Sequence, residues 1–203
     1  MRKPRFVSTR HRSWQKLLKV HREAEARFRG NGDRRLGKLG LILDSRPSYG
    51  DYHCTPLNSL CFAHTGGDGT HFSFLAIDGE VNEKSPVVVT IPTTIEYPNV
   101  IVGENLVDFL NLGFCLGYFG MAIFGGNPYE VFDRFTSGTW KATEPHHFYN
   151  GLHITDDQRP VMDFLIKRMG LRPWKRPKTK FRALQRRYMP LLELPPRDTS
   201  WMK

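Results

Sequence analysis

The sequence predicts an α+β fold: a central antiparallel sheet with a tight Gly-rich hairpin, flanked by helices, with basic N- and C-terminal extensions. Three observations predict it. Short aromatic and β-branched runs crowd between residues 57 and 103, two of them parted only by "TGGDGT", and strands so closely joined pair antiparallel. Helical periodicity lies on either side of that region rather than alternating with it. Charge is segregated. Residues 1–38 carry 13 Lys/Arg against 3 Asp/Glu, residues 39–166 carry 5 against 15, and residues 167–203 carry 12 against 2. A centre of net −10 therefore sits between two ends of net +10 each. The domain reading follows these shifts: a basic helical extension over 1–38, an α+β core over 39–170, and a basic, proline-containing tail over 171–203.

Taken in order, Ser13 to Arg29 reads as a helix, because Trp14, Leu17, Leu18, His21 and Phe28 recur near i, i+3/i+4. Gly30 or Gly32 in "RGNGD" stops it. "LGKLGLILD" offers a short strand, and "SRPSYGDYHCTP" is a loop by composition. "LNSLCFAH" and "THFSFLAID" read as two strands around the turn glycines Gly66, Gly67 and Gly69. In that register His64 faces His71 and Thr65 faces Thr70. One face then holds Cys61, Ala63, Phe72 and Phe74, the other Leu60, Phe62, His64, His71, Ser73 and Leu75. "SPVVVTIP" is a β-branched strand and "YPNVIVG" a further short one. "ENLVDFLNLG" reads as a helix ending at Gly113, followed by a glycine-interrupted helix in "FCLGYFGMAIF". "NPYEVFDRF" carries an N-cap Asn127, Pro128 at the first helical position and Glu130 three residues after the cap. "TDDQRPVMDFLIKRMG" reads as a helix with acids at its start, cations at its end and Gly170 as its stop.

Several chemistries fail on residue type. The "TGGDGT" loop lacks the lysine of a P-loop and runs into a strand instead of opening a helix, so it reads as a hairpin turn. Three cysteines, Cys54, Cys61 and Cys115, form no CxxC pair and suggest reduced thiols in a cytoplasmic protein. His64 and His71 are too few to hold a metal, and the register places Cys61 on the opposite face. His146, His147 and His153 lack helical ligand spacing, and there is no GxSxG elbow. No metal, cofactor or catalytic residue is expected. Residues 106–124, the most apolar stretch, contain Asp108, Asn111 and three glycines, which suits a buried helix and not a membrane span. No secretory leader is expected at the basic N-terminus.

Residues 54 to 124 resemble the SUKH superfamily, which includes yeast cell-wall-synthesis regulators and bacterial immunity proteins for polymorphic toxins. The segments that carry the resemblance are "FAHTGGDGTHFSFL", "SPVVVTIP" and "YPNVIVGENLVDFLNLGFCLGYF", with Phe109 and Leu110 as the "FL" of a helix on the sheet. The resemblance implies a non-catalytic immunity or regulatory protein of the toxin–antitoxin kind, which acts by occluding a protein partner such as a nuclease toxin domain. Acidic loop residues Asp68, Asp78, Glu80 and Glu83 would then meet the basic partner.

The alternative is a nucleic-acid-binding protein. "LRPWKRPKTKFRALQRRY" holds eight Lys/Arg and no acid. Arg172, Lys175, Arg176, Lys178, Lys180, Arg182, Arg186 and Arg187 would meet phosphates while Trp174 stacks on bases. A helix from Lys178 would place Lys178, Arg182 and Gln185 on one side and Phe181, Leu184 and Tyr188 on the other, and the second stripe could equally dock on the core.

Overall fold

The computed structural model describes residues 4–6, 11–28, 36–130, 132–133, 156 and 158–196. His146, His147, His153, Gly30, Gly32 and Asp157 lie outside them.

A five-stranded antiparallel sheet is built from β2 (Ile42–Ser48), β3 (Ser59–His64), β4 (His71–Leu75), β6 (Val87–Thr90) and β7 (Asn99–Gly103), in the order β2-β3-β4-β6-β7. The chain is α+β. Two short strands, β1 (Arg5–Phe6) and β5 (Glu80–Val81), pair in parallel apart from it. Among the described residues, the α-helices with defined bounds are α1 (Arg12–Arg27), α2 (Leu106–Leu116), α3 (Arg159–Met169) and α4 (Pro177–Tyr188).

One sheet face carries the aromatic core. Phe62 and Phe74 stack with centroids 4.1 Å apart, Trp14 of α1 meets both edge-on, and Phe109 of α2 packs against Phe62 and Phe72. Ring pairs in offset and edge-on geometry add to what their area alone contributes. α3 packs on α1: Phe164 meets Phe28 edge-on, and Arg168 pairs with Glu23. Gly170, in the left-handed region at φ 72, ends α3. The buried apolar cluster runs from Trp14 to Tyr188 and so includes α1 and α4.

The sheet departs from the expected register at Phe62. Cys61 pairs with Ser73 but Ala63 pairs with Phe72, so Phe62 is an extra residue in β3. This bulge moves Phe62 and Leu60 to the aromatic face and returns Cys61 to the face of His64, His71 and Ser73. Regular alternation predicts the reverse.

Two boundaries and one face assignment also differ. Pro47 lies within β2, on the sheet edge and in an irregular stretch of pairing, where a missing N–H costs no ladder bond. α2 runs through Gly113 to Leu116 and stops at Gly117. Gly113 is there for space, since a Cβ at that position would lie 2.0 Å from the buried ring of Tyr118. Gln185, assigned by periodicity to the outer side of α4, is buried.

That burial closes the sheet. β7 is an edge strand, and its Ile101 N–H and C=O point away from β6. The Gln185 side chain meets both: Oε1 accepts from Ile101 N at 3.0 Å, and Nε2 donates to Ile101 O at 2.6 Å. A side-chain amide thus takes the place of a sixth strand, covering an edge that would otherwise template pairing with another chain.

Candidate functional site

The second sheet face is polar and is covered by the 49–58 loop. Asn99 in β7 accepts from Thr90 Oγ1 at 2.8 Å and donates to Cys54 O at 2.9 Å, tying the loop across the strands. Between this loop and the β3–β4 turn lies an open cleft of about 430 Å³, lined by Asp44, Tyr49, Asp51, Tyr52, Cys61, His64, Asp68 and His71 together with the turn backbone.

The turn comprises residues 65–70. Thr65 N donates to Thr70 O at 3.0 Å, and His64 and His71 are Cα partners. Gly66, Asp68 and Gly69 adopt φ of 89, 52 and 69. Gly67 does not share that conformation and would accept a Cβ in open space, so only two of the three predicted turn glycines are conformationally required. A Cβ on Gly69 would also meet the Tyr52 ring at 2.6 Å. Tyr52, half exposed, stacks on His71 with centroids 5.4 Å apart and pins the loop to the turn.

Two ionisable groups in the cleft, His71 and Cys61, are held neutral by burial. Gly69 O can only accept, so His71 Nδ1, 2.8 Å away, carries the proton. Thr55 Oγ1 then donates to Nε2 at 3.0 Å. Burial pushes the His71 pKa down, so the ring is neutral, with both nitrogens engaged. The Cys61 thiol points at Asp44 Oδ2, 3.7 Å away, and burial pushes it up to about 12, with the Asp44 charge acting in the same direction. A protonated thiol is neither a nucleophile nor a soft metal ligand. The bulge brings Cys61 onto the histidine face, yet among the described residues no group of three or more His, Cys, Asp or Glu is placed to hold a metal ion.

The four acids predicted to meet a partner divide between two places. Asp68 stands exposed at the cleft rim. Asp78, Glu80 and Glu83 follow the far end of β4, a strand length of roughly 16 Å away. Asp78 and Gly79 form a two-residue turn closed by Ile77 N to Glu80 O at 3.0 Å and Glu80 N to Ile77 O at 3.1 Å. Glu83 accepts from both Ser13 N and Ser13 Oγ, and so caps the first turn of α1. Asp44, Asp51, Tyr49 and Tyr52 complete the cleft. Tyr49, Asp51 and Tyr52 come from a segment whose composition reads as loop and Asp44 from β2, and the fold of 49–58 brings them together beside Asp68.

The predicted phosphate-binding residues are also divided. Trp174 is 4% exposed, and its indole N–H donates to Asp108 O at 2.9 Å, so it cannot stack on a base. Lys180 pairs with Asp108, Lys178 and Arg182 with Asp133 at 4.0 and 2.7 Å, and Arg187 with Glu104 at 2.8 Å. Arg172, Lys175, Arg176 and Arg186 have no carboxylate partner among the described residues. No helix of the described residues is long and apolar enough to cross a membrane.

Comparison with protein-family models, curated proteins and solved structures found no match for this chain.

Proposed function

We propose that this protein is a non-catalytic binding module that acts by occlusion, as the SUKH resemblance implies, and that it seats a cationic segment of a protein partner in the cleft beside the 65–70 turn. The partner class that fits is a basic domain such as a nuclease toxin. One observation carries the reading: the cleft is lined by the carboxylates of Asp44, Asp51 and Asp68 and by the exposed rings of Tyr49 and Tyr52, while His71 and the Cys61 thiol are held neutral. Carboxylates beside aromatic faces suit a guanidinium or ammonium group. His71, neutral with both nitrogens bonded, and Cys61, a protonated thiol, offer neither base nor nucleophile.

The test uses a fluorescent nona-arginine peptide as probe. Wild-type protein is expected to bind it in a salt-dependent way. The Asp51→Asn/Asp68→Asn variant should bind at least roughly tenfold more weakly, a loss of about 1.4 kcal/mol. A charge-matched variant at exposed acids elsewhere, Asp78→Asn/Glu96→Gln, should bind as wild type. Equal binding by all three would sink the cleft as the docking site.

A further inference from the structure

The apolar side of α1 is buried: Trp14, Leu17, Val20 and Ala24 all lie in the core. Its outer side carries Arg12, Lys16, Lys19 and Arg22, all exposed. Residues spaced by four and three share a helix face, so these cations form one stripe about 15 Å long. The neighbouring carboxylates are engaged elsewhere. Glu23 pairs with Arg168, Glu25 with His21 at 3.4 Å, and Glu83 caps the helix. Among the described residues no carboxylate pairs with any of the four cations. Arg22 only returns one N–H to Leu18 O within its own helix, at 3.4 Å. The sheet lies between this stripe and the acidic cleft, because α1 covers the aromatic face and the cleft opens on the other.

We propose that the outer face of α1 is a binding surface for the phosphate backbone of a nucleic-acid duplex. The proposal stands apart from the cleft reading and rests on different residues. A cation every 4.5–6 Å along the axis, at about 1.5 Å rise per residue, sets these four charges against a backbone that carries a phosphate about every 3.4 Å of duplex axis per strand. No large apolar side chain sits on the stripe, so it lacks what a helix needs to enter a lipid interface. Without side chains placed to read base edges, binding is insensitive to sequence.

The experiment titrates the full chain into a labelled DNA duplex of about two helical turns and follows anisotropy against salt. Four phosphate contacts give a log–log slope of roughly −3.6, so affinity should fall roughly 100-fold between about 50 and 200 mM salt. The R12Q/K16Q/K19Q/R22Q variant should lose at least about tenfold at the lower salt with its unfolding curve unchanged. The R172Q/K175Q/R176Q/R186Q variant should stay within about threefold of wild type. The proposal is overturned if wild type does not bind the duplex at low salt, or if the α1 variant binds as wild type. Loss of binding in the C-terminal variant alone also overturns it. So does binding of wild type to phosphatidylserine vesicles but not to the duplex.

Discussion

α1 and α4 are both cationic amphipathic helices, yet their charges have different fates. On α4, Lys180 reaches Asp108, Lys178 and Arg182 reach Asp133, and Arg187 reaches Glu104. On α1, Arg12, Lys16, Lys19 and Arg22 face solvent without such partners. The difference is not in the helices but in what they lie against. α4 lies along β7 and α2, where the acidic centre of the sequence supplies Glu104 and Asp108. α1 lies over the aromatic face, where the nearest acids are taken by Arg168, His21 and its own N-terminus. A count of positive charges therefore does not say whether a helix docks inward or reaches outward. The position of the nearest carboxylates does.

The largest expected effect breaks this comparison at Asp108. Its Oδ1 pairs with Lys180 and its Oδ2 accepts from Glu104 N at 2.9 Å, both at a site 7% exposed. Asp108→Ala should lower unfolding free energy by about 2–4 kcal/mol in a denaturant titration, since it strands a half-buried ammonium and a backbone donor. Next is Gln185→Leu, which keeps the volume but leaves Ile101 N–H and C=O without partners. A loss of about 2–3 kcal/mol is expected, with faster amide exchange at Ile101.

Acid should sharpen the contrast between the two helices. His11 caps α1, with Nδ1 accepting from Trp14 N at 3.3 Å, and burial lowers its pKa although Glu83 acts to raise it. The folded state thus binds fewer protons than the unfolded chain. The contribution of the neutral cap is present above pH 6.5 and declines as pH falls below that value. Amide protection, corrected for intrinsic rates, should fall in the first turns of α1 before it falls in α4. His11→Ser, which keeps an acceptor and removes the titration, should abolish the difference. The smallest expected effect is at the α1 stripe: its quadruple glutamine variant should change stability by no more than about 0.5 kcal/mol, because exposed charges without partners contribute little to folding.

Periodicity made the element types readable. Four β-branched or aromatic runs became β3, β4, β6 and β7, and the Asn127–Pro128–Glu130 start forms its cap, with Asn127 Oδ1 accepting from Tyr129 N at 3.1 Å. What alternation could not show was the extra residue at Phe62, because a bulge is a property of a pair of strands and not of one. That single residue reassigned Cys61 to the cleft. Pro47 hid the second half of β2, since proline argues against a strand unless the strand is known to lie at an edge. Asp78–Gly79 was the most direct two-residue turn signal in the chain, and its reading as a tight turn would have separated Asp78 and Glu80 from Asp68 at once. Gln185 sits on the boundary between the polar and apolar faces of α4, where periodicity assigns either side. Only the unpaired edge of β7 decides it.

The Gln185 clamp also has a consequence in time. β7 ends at residue 103, but its cover does not exist until residue 185 has been made. At about 5–20 residues per second, the ribosome leaves the completed strand with an open edge for roughly 4–16 seconds before the glutamine can reach it. A nascent chain in that interval carries an apolar sheet with an unclosed border. Chains stalled before α4 should therefore be far more prone to co-aggregate, and more dependent on chaperones, than the small number of missing residues suggests.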